Sequence, residues 1–158
     1  MKKNKLRSQS GGSVVEFAIM LPFLVLLIFG MIEFGLLFYD QQVITNASRE
    51  AARAAIAGAC SERLSAGQIG QIVNNYCQYT DSSGTTVNRL ITLNGPNNLP
   101  ATNVKPASIG CGSGVNFGDD LTVTVSYNYN FLAPSILGFG ATKTITAKTV
   151  MKMESNEN

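Results

Sequence analysis

Few residues in this chain are equipped for chemistry. Among its 158 residues there is no His, which removes the commonest general base and the commonest neutral metal ligand. Cys60, Cys77 and Cys111 include no CxxC pair, so neither a redox motif nor a zinc knuckle is indicated. Asp119 and Asp120 are adjacent in turn-like sequence rather than opposed across a cleft. The glycine-rich run Gly110 to Gly114 lacks the Lys-Ser/Thr of a phosphate loop. No catalytic site, metal or cofactor is therefore expected. Two carboxylates, Glu16 and Glu33, stand out for a different reason. Both interrupt strongly apolar sequence, where a charge is costly unless it is paired or reaches water.

The element that positions them is a membrane-spanning helix. Lys2, Lys3, Lys5 and Arg7 precede it, no acidic residue appears before Glu16, and Phe17 to Ile32 carries no charge. The span assigned from sequence is Phe17 to Tyr39, 23 residues, against roughly 20 needed to cross a hydrocarbon layer of about 30 Å. It exceeds the apolar region of an ordinary cleaved signal peptide, and no small-x-small site directly follows. The basic cluster predicts a cytoplasmic N-terminus, with the C-terminal part across the membrane. Pro22 lies inside the span, removes one backbone hydrogen bond and predicts a kink, which membrane helices tolerate. Glu33 is read as an interfacial carboxylate touching water or, alternatively, as a contact to a neighbouring membrane helix.

The helix is expected to continue beyond the membrane to Gly58. Val43, Ala47, Ala51 and Ala54 recur at spacings of three and four, a shallow apolar stripe that lets another element approach closely. A second helix is expected from Ser61, as N-cap, to about Tyr79. Turn-rich sequence follows from Thr80 to Asp120, with a short strand expected from Thr85 to Leu93. Leu121 to Tyr129 alternates fully, and Thr144 to Met153 alternates again. These predict an antiparallel pair packed on the long helix. The connection between them, Phe131 to Ala141, is uncharged and unusually apolar for a loop. The cysteines follow the apolar block, which suggests an oxidising compartment and at most one internal disulfide. Cys77–Cys111 is the preferred pair, because both flank loop-like sequence. The overall expectation is an α+β protein divided into a basic leader at 1–11, the long helix at 12–58 and an extracytoplasmic domain at 59–158. A net charge of +2 does not indicate a nucleic-acid partner.

The string Gly11 to Pro22, GGSVVEFAIMLP, resembles a prepilin-peptidase site, where cleavage follows a glycine and glutamate is the fifth residue of the mature chain. On that pattern the cut falls between Gly11 and Gly12, with Glu16 the glutamate and Phe17 beside it. The freed amine of Gly12 would lie about one helical turn from Glu16. Each charge would neutralise the other, within one subunit or between neighbours. The segment Val14 to Ala55 is similar throughout to the TadE-like family. It carries Val15-Glu16-Phe17-Ala18, Leu21-Pro22, Gly30-Met31-Ile32-Glu33-Phe34-Gly35, Phe38-Tyr39 and Asn46-Ala47-Ser48-Arg49-Glu50-Ala51-Ala52-Arg53. Leu36 departs from the Arg that many relatives place there.

The resemblance implies a pilin-like minor pilin or pseudopilin of a tight-adherence (Tad, Flp-type) pilus, and the residues themselves predict no enzymatic activity. Its implied partners are a prepilin peptidase, other pilins and pseudopilins, the inner-membrane assembly platform and membrane lipid. The alternative kept open is an unprocessed, permanently anchored periplasmic binding or adaptor protein.

Overall fold

A computed structural model describes residues 10–57, 61–91, 98–110, 113–115, 118–132, 134 and 141–153. The first element, α1, runs unbroken from Ser10–Ile56, 47 residues with Pro22 inside it. Its two halves obey different rules. From Gly11 to Ile32 no residue is buried, although this half holds a stretch of mean hydropathy 2.5. An apolar surface of this kind needs a non-aqueous surrounding, and its length matches a bilayer. From Glu33 onward one stripe is buried: Glu33, Asp40, Val43, Ile44, Ala47, Ser48, Ala51, Ala52 and Ala55. The small-residue stripe read from sequence is therefore a packing face. Ala54, assigned to it, is only half-buried, and Ile44 and Ala55 belong to it instead.

The packing partner is a three-stranded antiparallel sheet of order β3-β4-β5, with β3 at Ala101–Lys105, β4 at Asp120–Asn130 and β5 at Thr142–Lys152. The alternation of β4 works as expected: Leu121, Val123, Val125, Tyr127 and Tyr129 all point inward and are at most 1% exposed. From β5, Ile145 and Ala147 join them. The opposite face carries Thr122, Thr124 and Ser126 against Val150, Lys148 and Thr146.

Polar contacts fix the direction of the sheet along α1. The Gln41 side-chain amide donates to the Thr146 carbonyl at 3.3 Å, and the Ser48 and Thr149 hydroxyls share a 2.7 Å hydrogen bond. Seven helical residues and three strand residues each advance about 10 Å, so β5 runs alongside α1, away from its apolar half. β4 runs back and ends beside Glu33.

The second helix, α2, is Ala66–Cys77 rather than the longer element expected from Ser61. Its N-cap is Ser65, whose hydroxyl accepts from Gln68 N while the Gln68 side chain accepts from Ser65 N. This reciprocal box satisfies two otherwise orphaned donors, and the sequence Ser65-Ala66-Gly67-Gln68 has the required spacing where Ser61 does not. Ile69, Val73 and Cys77 turn inward from α2 to the core. A small antiparallel hairpin, β1 at Gln78–Thr80 with β2 at Thr86–Asn88, follows directly. Asp81 closes its turn by accepting from the backbone of Ser83 and Thr85. The single strand expected from Thr85 to Leu93 is thus shorter and part of a hairpin. The architecture is α+β: a long apolar helix leading into a small domain with a short helix and antiparallel sheets.

Candidate functional site

Gly11 and Gly12 lie in the first turns of α1, and Glu16 and Phe17 follow on its exposed surface. A Cβ built on either glycine meets nothing within 4 Å. Both have helical backbone that any residue adopts, and helix propensity disfavours glycine there. Neither glycine is required by packing or backbone conformation among the described residues. Residues 1–9 of the basic leader lie outside them. Phe17 is 61% exposed. Pro22 lies within a helix that continues through it, and its ring removes the donor that the Ala18 carbonyl would otherwise receive.

Glu33 occupies a place that the sequence reading did not give it. It is turned away from water. At 8% exposure it lies beneath the domain of its own chain, where it accepts hydrogen bonds from the Tyr129 hydroxyl at 2.8 Å and the Leu132 backbone N–H at 2.9 Å. The return of β4 to the foot of the domain is the cause, because it delivers Tyr129 and the next turn to this point on α1. Burial, followed by the hydrogen bond to Glu33, pushes the Tyr129 phenol above its ordinary pKa. The Tyr129 ring stands edge-on to Phe131 at 5.3 Å. Two helical turns further on, Asp40 is fully buried and accepts from Ile91 N at 2.8 Å. Its Oδ2 has no hydrogen-bond partner among the described residues, and burial pushes its carboxyl up to about 6, opposed by the Ile91 bond.

One signal in the sequence could have located both acids. Glu33, Asp40 and Ala47 are spaced by seven residues, and Ala47 already belonged to the small-residue packing stripe. A common face implies common burial.

Cys77 is a free cysteine, wholly buried at the end of α2, and Cys111, its expected disulfide partner, lies outside the described residues. The Cys77 side chain points into the core because it continues the Ile69–Val73 face of the helix. Burial pushes its thiol up to about 12, with Arg89 lowering it and Asp40 raising it further. Cys60 also lies outside the described residues. Asp120 pairs with Lys152 at 2.6 Å across the β4–β5 ladder, both side chains exposed, so this ion pair contributes little to stability.

Residues 11–53 match the family model of the TadE-like proteins. The matched stretch covers the exposed apolar half of α1 and continues through Glu33 and Asp40 almost to the helix end. No curated protein and no solved structure matches the chain.

Proposed function

We propose that this chain is a pseudopilin or minor pilin that takes part in assembling a Tad (Flp-type) pilus and in surface adherence. A prepilin peptidase cuts it after Gly11, and its role is structural rather than catalytic. The observation that carries the reading is the TadE-like match at residues 11–53, on a helix whose first 22 of those residues, Gly11 to Ile32, include none that is buried. The open surroundings of Gly11 and Gly12 support recognition from outside the subunit, since nothing among the described residues requires glycine. After the cut, the Gly12 amine and the Glu16 carboxylate form a neutral pair at the end of the membrane helix. Such a pair fixes axial register against neighbouring subunits, because a displaced carboxylate would sit unpaired in hydrocarbon.

In this reading the basic residues stay in the cytoplasm and the domain faces the outside of the inner membrane. The prepilin peptidase, other pilins and the assembly platform meet α1 first. Intact-mass measurement of the protein purified from its native cells tests the proposal. Loss of Met1 to Gly11 is expected. A chain that retains them would instead be a permanently anchored binding or adaptor protein.

A further inference from the structure

Two edges of the molecule fail to coincide, and their offset is informative. On the face of α1 covered by the domain, burial starts at Glu33. On the opposite face, large apolar side chains stay exposed further along: Phe34 at 65%, Phe38 at 63% and Tyr39 at 48%. The next exposed residues on that face, Gln42 and Asn46, are polar. From Gly12 to Ile32 the helix rises about 30 Å, the thickness of the hydrocarbon layer, and from Glu33 to Tyr39 it rises about 9 Å more. That second interval matches the headgroup layer, where aromatic side chains collect. The foot of the domain occupies the same interval. Tyr129 and Leu132 are held there by Glu33, and Lys143 pairs with Tyr129 in the β4–β5 ladder.

We propose that the membrane-proximal end of the domain, at Leu132, Thr142 and Lys143, is a lipid-contacting surface seated in the outer headgroup layer beside Phe34, Phe38 and Tyr39. The occupant is the bilayer already crossed by α1, so the surface continues an existing apolar boundary. An amphipathic surface in this position settles roughly 5–10 Å into the headgroup and acyl boundary. Lys143 is exposed and suits phosphate headgroups there. The arrangement also accounts for Glu33. A carboxylate at that depth must find its donors within the protein, and Tyr129 and Leu132 supply them. The inference rests on the membrane span with Gly12 at its inner edge, the register that the proposed function gives it.

The chain has no Trp, so a single introduced one is a clean reporter. Thr142 and Val150 are both exposed and lie on the same face of β5, about 26 Å apart. Full-length Thr142→Trp and Val150→Trp proteins are reconstituted in vesicles of phosphatidylcholine and phosphatidylglycerol, with and without brominated phosphatidylcholine. Flotation with the vesicles is measured alongside fluorescence. The expected result is blue-shifted emission and at least twofold quenching for Thr142→Trp, with neither for Val150→Trp. Flotation with Thr142→Trp unquenched, or with both variants quenched alike, would overturn the inference and leave the span standing. A blue shift that grows with protein density but resists bromine would assign the surface to a second copy and equally overturn it. Failure of the wild-type chain to float would remove the span and this inference together, without touching the question of cleavage.

Discussion

Glu33 and Tyr129, 96 residues apart in sequence, are joined by a 2.8 Å hydrogen bond from the phenol to the carboxylate. The bond ties the end of the long central strand to the helix at the point where the helix leaves its exposed apolar half. Because the acceptor is a carboxylate and the pair is shielded, such a bond contributes about 1.5–3 kcal/mol. Tyr129→Phe should destabilise the domain by an amount in that range. Glu33→Gln keeps an acceptor oxygen and should cost less, whereas Glu33→Ala strands both donors and should cost more. Denaturant unfolding in mild detergent, followed by far-ultraviolet circular dichroism, reads the order. Equal stability of Tyr129→Phe and wild type would show that the bond does not hold the domain.

Asp40 predicts an unusual pH dependence. Folded, its carboxyl keeps a proton up to about pH 6, against an ordinary value of 3.8. Between those values the folded chain binds more proton than the unfolded one, so stability falls as pH rises through the window. Above it the charged, buried form carries a penalty of about 3 kcal/mol at most. Asp40→Asn retains an oxygen for Ile91 N and removes the charge. It should unfold at higher denaturant than wild type at pH 8 and lose that advantage at pH 4. Cys77 and Tyr129, both influenced by Asp40, titrate too high to confuse the comparison. Parallel stability profiles of the two proteins across pH 4–8 would contradict this account.

These acids also mark where sequence reading stopped. The apolar half of α1 announced itself by hydropathy, and β4 by five inward residues in strict alternation, because each signal is local. The hairpin strands Gln78–Thr80 and Thr86–Asn88 are three residues each, too short for alternation to register. In β3, Val104 is the one buried residue of five, so pairing with β4 rather than its own pattern makes it a strand. The role of Glu33 depends on a partner 96 residues away, which no local pattern reveals. Its spacing from Asp40 and Ala47 was legible and would have turned it towards the domain.

Cys77 should behave as a protected thiol. It is completely inaccessible, and a thiol pushed up to about 12 holds almost no thiolate at pH 8, the form that reacts. Iodoacetamide applied to the native protein without reductant should leave Cys77 unmodified for hours. The same treatment in denaturant should alkylate it fully, still without reductant. Peptide mass spectrometry distinguishes this from the Cys77–Cys111 bridge, in which alkylation at Cys77 would require reduction first.

The last prediction separates processing from assembly. Gly11 makes no contact that would demand glycine, and α1 would accept a larger side chain there with improved helix propensity. Gly11→Leu should therefore fold and insert normally. If an external peptidase requires glycine before the cut, the variant should accumulate at the precursor mass and support few or no pili. In the proposed function Glu16 acts at a later step, since its carboxylate gains a nearby partner only once Gly12 is an amine. Glu16→Ala should insert and reach the mature mass, but pilus yield should fall severalfold at unchanged subunit level. Glu16→Asp, one methylene shorter, should fall between Glu16→Ala and wild type if the distance to the amine matters. Intact mass, immunoblotting and counted surface fibres read the three quantities separately. Normal piliation by both Gly11→Leu and Glu16→Ala would mean that neither residue serves as a processing or assembly determinant.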